Sequence, residues 1–171
     1  MTELRTDRLI LRRARLEDLE AMHAVFSDER AMQYWSHGPH EDIAQTKGWL
    51  DSMIAARPEE SDDFLITVDG EVIGKLGAWR IPEIGFIIRS DRWGRGYARE
   101  ALRAFLAHIF RTRGAEFLTA DVDPRNAASL KLMTDHGFVR TGYAVGSWNT
   151  HIGVCDSVYL RLDRETWLSA G

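Results

Sequence analysis

The stretch Ile87-Ile88-Arg89-Ser90-Asp91-Arg92-Trp93-Gly94-Arg95-Gly96-Tyr97-Ala98-Arg99-Glu100-Ala101-Leu102 constrains this chain more than any other. An apolar run leads through an arginine-rich loop into two glycines, and a helical pattern starts abruptly behind them. A helix that begins on glycine leaves its first backbone N–H groups free, and the missing side chains let an anion come close. Arg92, Arg95 and Arg99 add positive charge to the same mouth, which suits a phosphate-rich ligand. The plain alternative is a loop whose glycines only serve the turn.

The rest of the chain supplies a mixed α/β pattern around that stretch. Residues 8–12 form a short apolar run between arginines and are expected as a first strand. Helical spacing follows over 17–26 and over 41–56. Pro58 opens an acidic segment, Glu59-Glu60-Ser61-Asp62-Asp63, expected as a solvated loop. Strands are expected at 64–68 and 71–79, and Asp69-Gly70 between them is a hairpin signal. After Pro82 comes a strand over 83–88, then a helix over 97–113 closed by Gly114. A strand at 117–122, a turn at Asp123-Pro124, a helix over 127–136 and two closing strands at 139–147 and 154–162 complete the order, with a short helix after Asp163. Antiparallel strands come first and one right-handed βαβ crossover lies in the middle. With 171 residues and no linker or repeat, the whole span 1–171 is expected to be a single domain.

Composition narrows the function. A 44% hydrophobic and 28% charged chain is an ordinary globular one. Its net charge of −4 argues against a nucleic-acid partner, which needs a concentrated basic face. No apolar run approaches the ~20 residues of a membrane span, so no membrane partner is expected. Cys155 is the one cysteine, which excludes an internal disulfide and fits a reducing cytoplasm. The N-terminal residues carry both charges and no apolar signal region. His37-x-x-His40 contains a Gly-Pro break and lacks further ligands, and Asp121-x-Asp123 lacks the rest of a calcium loop, so no metal is expected.

On these motifs the sequence resembles the GNAT superfamily of N-acetyltransferases. The family's cofactor loop reads Gln/Arg-x-x-Gly-x-Gly/Ala, and Trp93-Gly94-Arg95-Gly96-Tyr97-Ala98 matches it with Trp in place of its usual opening. Residues 93–102 look like the RimJ/RimL branch. Leu4 to Arg12, Tyr34-Trp35, Asn126-Ala127-Ala128-Ser129 and His136-Gly137-Phe138 agree with that branch in the correct order. The resemblance implies a mostly antiparallel sheet, splayed at the cofactor cleft and flanked by helices. It implies acetyl-CoA as co-substrate and a small-molecule or peptide primary amine as acceptor.

Carried over by position, the resemblance implies that Phe86, Ile87, Ile88, Trp93, Gly94, Arg95, Gly96, Tyr97, Ala98, Arg99, Asn126, Ser129 and Met133 contact the cofactor. It also implies a bulge near Phe86-Ile87-Ile88 that frees an amide for the thioester oxygen. Glu83 is the candidate base, since an alkylammonium must lose its proton before it can attack; otherwise it is a solvated residue after Pro82. Many relatives carry a tyrosine acid where this chain has Met133, which leaves Ser129 or water to protonate the departing thiolate. For Asn126 the plain reading is a helix cap. Tyr34, Trp35 and Trp148 are candidates for the acceptor pocket, with Trp79, His151 and Asp156 behind them. Core packing is the alternative for each. The closing hairpin offers an edge for a homodimer.

Two other functions compete. A dinucleotide-dependent oxidoreductase is opposed by Arg99 at the third small position and by the five residues separating strand from glycines. A non-catalytic acetyl-CoA-binding module draws its one support from Met133.

Overall fold

A computed structural model describes residues 2–171. Eight strands form one sheet in the order β1-β2-β3-β4-β5-β6-β8-β7: β1 Glu3–Arg5, β2 Ile10–Arg12, β3 Asp62–Val68, β4 Glu71–Arg80, β5 Glu83–Ile88, β6 Phe117–Val122, β7 Val139–Thr150 and β8 Gly153–Asp163. All neighbours are antiparallel except β5 and β6. Five helices complete the fold: α1 Leu19–Phe26, α2 Ile43–Ala55, α3 Tyr97–Ala107, α4 Ala127–Asp135 and α5 Arg164–Ala170.

The sheet separates two apolar cores. On one side Phe64, Ile66, Ile84 and Ile88 pack with Ala101, Leu102, Phe105 and Ile109 of the α3 segment. On the other, Leu65, Val72 and Ile87 pack with Met22, Phe26 and Leu50 of α1 and α2. Alternate residues of β3 and β5 therefore point to opposite faces, and both faces are packed over 64–66 and 87–88, so those stretches are continuously apolar rather than alternating.

Several expectations need correction. The expected first strand is the second arm of a hairpin: β1 pairs with β2, Leu4 opposite Leu11. The helix over 97–113 changes to π-type winding at His108–Thr112. The acidic segment is a solvated turn only at Glu59 and Glu60, because Asp62 and Asp63 open β3 and are buried. Cations from distant positions make this tolerable. Asp62 meets Arg13 and lies 2.7 Å from His108 Nε2 and 3.3 Å from Arg113 Nε, while Asp63 lies 2.6 Å from Lys75 Nζ. The bulge falls on a different strand from the one expected. β4 and β5 stay in register through Phe86, Ile87 and Ile88, and the shift occurs in β4 between Gly77 and Arg80.

One feature of the sheet positions everything else. The ladder between β5 and β6 consists of the pair Glu83↔Thr119, supported by the Thr119 amide donating to the Pro82 carbonyl at 2.9 Å. Beyond that pair the two parallel strands diverge, and a gap opens in the middle of the sheet. Close approach of β4 holds β5 on its other side: a Cβ on Gly74 would stand 2.1 Å from the Ile87 carbonyl oxygen.

Candidate active site

The loop between β5 and α3 takes its shape from glycines and from braces. Gly94 and Gly96 have φ of +72° and +78°, a left-handed backbone that side chains disfavour. Gly96 is the N-cap of α3 and contributes no capping side chain. The first helical bond runs from the Glu100 amide to the Gly96 carbonyl at 3.0 Å, so the amides of Tyr97, Ala98 and Arg99 lack acceptors within the helix. The Trp93 indole donates to the Ile88 carbonyl at 2.8 Å, and the Ser90 amide donates to Asp28 at 2.6 Å. Burial works against the Asp28 carboxylate, but the amides of Ser90, Ala31 and Arg30 outweigh it and hold its pKa below the ordinary value.

The N-terminal hairpin fixes the same loop from the far side. Arg8 donates to the Arg95 carbonyl at 2.8 Å and to Glu100 at 2.7 Å, and its guanidinium covers the Tyr97 ring at 4.7 Å. Glu100 also accepts from the Thr6 hydroxyl at 2.6 Å and from the Arg8 amide at 2.9 Å. The segment Leu4–Arg12 is thus a strut for the anion loop as well as two strands of the sheet.

A cavity of about 660 Å³ opens over this loop. Every expected cofactor contact except Met133 lines it: Phe86, Ile87, Ile88, Trp93 to Arg99, Asn126 and Ser129. Arg30, Arg92, Arg95, Arg99, Arg125 and Lys131 give it six cations against the single carboxylate Asp135. Arg30, which lies 5.1 Å from the Trp93 ring, and Arg125 and Lys131 escaped the sequence reading because they come from other segments. Arg92 is partly committed elsewhere, to Glu71, and its buried Nε makes no hydrogen bond, with Asp91 4.0 Å away. Arg99 and Lys131 share Asp135 at 2.5 and 2.9 Å, which leaves Arg30 and Arg95 without an ion pair among the described residues.

A second cavity of about 410 Å³ adjoins the first, and the two share Tyr34, Trp35, Phe86, Asn126 and Ser129. Glu83, Trp79, Trp148, Asp156 and Met133 line the second one. Trp79 and Trp148 are nearly half exposed, so they belong to the cavity wall rather than to the core; Met133 is both core and wall. His151 lies outside it, against Gly38. Lys75, unremarked in the sequence, also lines it while only 2% exposed, with Trp49 and Trp35 at 5.1 and 6.0 Å. Asn126 caps α4 by accepting from the Ser129 amide at 3.2 Å, and Ser129 is buried at the shared boundary. Glu83 has Arg80 3.7 Å away. His37 and His40 stack at 5.2 Å despite the Gly-Pro break between them, yet no group of three metal-ligating side chains is assembled among the described residues.

A gap in the sheet, a glycine-started helix facing it and two confluent cavities define an acyltransferase-type cleft. The comparisons agree. The acetyltransferase (GNAT) domain matches residues 8–139, and the chain belongs to that family. It is an N-acetyltransferase by that membership and by its relatives. The uncharacterized N-acetyltransferase p20 of Bacillus licheniformis is 30% identical over 151 residues, 83% of this chain and 85% of that protein. The ribosomal protein uS5-alanine N-acetyltransferase of Escherichia coli is 25% identical over 169 residues, 87% of each chain. The spermidine N-acetyltransferase of Vibrio cholerae, solved with CoA and spermine, shares the fold at a TM-score of 0.83 and 20% identity, over 95% of this chain and 99% of that one.

Proposed function

We propose that this enzyme transfers the acetyl group of acetyl-CoA to a primary amine, small-molecule or peptide, by direct attack on the thioester. The observation that carries the reading is the junction of a cationic cavity with a carboxylate-lined one at Phe86, Asn126 and Ser129, beside the open edge of β5. The co-substrate supplies an activated acyl group and a tolerable thiolate leaving group. The free amides at the start of α3 and the arginines around them bind its diphosphate. The exposed edge of β5 receives its pantetheine arm as an added strand, with Asn126 at the arm's side. Glu83 takes one proton of the incoming ammonium, directly or through water; after attack the second amine proton passes by way of the Ser129 hydroxyl to the departing sulfur, which leaves as the thiol. Met133 packs behind them and offers no acid. We assign the enzyme to the RimJ/RimL-like branch on the match to the uS5-alanine acetyltransferase along most of its length, and to the cytoplasm on the buried free thiol of Cys155.

Calorimetry with acetyl-CoA and a thiol-release assay over an amine panel test the reading together. Glu83→Gln is expected to retain cofactor affinity and to lose roughly 10²-fold in turnover, the usual contribution of a positioned base. Binding without thiol release from any amine would instead identify a non-catalytic module. Undiminished turnover in Glu83→Gln removes the base assignment.

A further inference from the structure

The two cavities have opposite polarity. The second is walled by four carboxylates, Glu83, Asp121, Asp123 and Asp156. Its one lysine, Lys75, is already matched by Asp63 at 2.6 Å. Two of the four carboxylates have cations close by, Asp123 with Arg125 at 2.7 Å and Glu83 with Arg80 at 3.7 Å. Asp156 accepts from the Tyr143 hydroxyl at 2.5 Å and from the Gly146 amide at 2.8 Å. Asp121 is different. Like Asp156 it has no ion pair among the described residues, but its single side-chain hydrogen bond comes from the Trp148 indole, at 2.9 Å to Oδ2, and its Oδ1 accepts none. That bond fixes the carboxylate beside an aromatic ring and leaves Oδ1 for a ligand. Asp121 lies two residues beyond Thr119, the partner of Glu83, so the two residues are offset by about 7 Å in the strand direction, on neighbouring strands that part beyond that pair.

Resting on the reading of this cavity as the acceptor site, we infer that Asp121 and Trp148 form a subsite for a second positive charge, and that the preferred acceptor is a short aliphatic diamine. One amine reaches the junction near Glu83 while the other, protonated, meets Asp121 and the Trp148 ring. Both contacts favour a cation: the carboxylate through a charge-assisted hydrogen bond, the indole through its negative ring face. An acceptor bearing a carboxylate at the same distance from its amine meets repulsion there, which separates this class from ω-amino acids of the same length.

The test measures thiol release from acetyl-CoA with putrescine, n-butylamine and γ-aminobutyrate, which share an aliphatic primary amine and differ in remote charge. A peptide amide beginning with alanine is the fourth acceptor. The expected order of kcat/KM is putrescine, butylamine, γ-aminobutyrate, with putrescine ahead of butylamine by on the order of tenfold and chiefly through KM. In Asp121→Asn, whose side-chain oxygen still accepts the Trp148 indole, the putrescine-to-butylamine ratio falls toward unity. Equal kcat/KM for the two in the wild type overturns the inference, as does a ratio unchanged in Asp121→Asn or a preference for the peptide; in each of these cases the transferase reading stands. Acetyl-CoA binding with no release from any acceptor defeats both. The wild-type charge series decides the matter even if the variant folds poorly.

Discussion

Lys75→Met tests the electrostatics of the second, carboxylate-lined cavity. Lys75 and Asp63 are 2% and 4% exposed at their side chains, and they meet at 2.6 Å. Burial pushes the Asp63 carboxyl above its ordinary pKa; the charge and hydrogen bond of Lys75, with the Phe64 amide, pull it back only in part. Its Oδ1 has no hydrogen-bond partner. Methionine replaces the lysine stem at similar volume, so the loss is electrostatic rather than a cavity. Removing one member of a buried pair costs about 3–5 kcal/mol at neutral pH. The cost must also depend on pH, and its sign is fixed. Without Lys75 the folded state keeps Asp63 protonated, whereas the unfolded chain ionises it above about pH 4. Wild type, whose Asp63 pKa is itself raised, takes up the same proton at first; once pH passes the wild-type folded pKa the variant loses up to ~1.4 kcal/mol per pH unit relative to wild type, until its own higher folded pKa is reached. Urea denaturation of both proteins at about pH 5, 6 and 7 measures the difference. In Lys75→Met/Asp63→Asn the slope should vanish and part of the stability return. A deficit under ~1 kcal/mol at neutral pH, or one independent of pH, refutes the account.

Gly96→Val forces a β-branched residue into a left-handed backbone at φ +78° and crowds the anion mouth; acetyl-CoA affinity should fall at least about tenfold by calorimetry, with stability lower by ~1–2 kcal/mol. Glu100→Gln weakens the strut between the N-terminal hairpin and the loop, lowering stability by about 1 kcal/mol at neutral pH. Burial opposes the Glu100 charge, yet bonds from Thr6 and Arg8 hold its pKa below 4.5. Its contribution is therefore present above that value and disappears as pH falls through the folded pKa, so wild-type and variant denaturation midpoints should converge in acid.

Much of the candidate site was legible because the cationic wall of the first cavity is largely local. Trp93 to Arg99, the strand before them and the helix behind them are contiguous, and glycine spacing with helical periodicity identifies them without long-range information. Asn126 and Ser129 were legible for the same reason, as a cap and its first turn. The acceptor side was less so. Lys75 sits in an apolar strand and gains meaning only from Asp63 across the sheet, and Asp121 looked like an incomplete metal motif until Trp148 closed over it. The acidic segment misled because a run of carboxylates is ordinarily solvated, and Arg13, His108, Arg113 and Lys75 are up to several dozen residues away in sequence.

By itself the sequence determined the element order apart from β1, the glycine-started helix and the family, since dihedral preference and side-chain periodicity act over a few residues. Tertiary structure decided where β5 parts from β6, which wall of the cleft is cationic and which is acidic, and which charges are paired. Those depend on register and on desolvation, and both arise only when distant strands meet: a bulge at Gly77–Arg80 shifts one register, and burial turns Asp63 and Lys75 from surface charges into a pair that neither can leave.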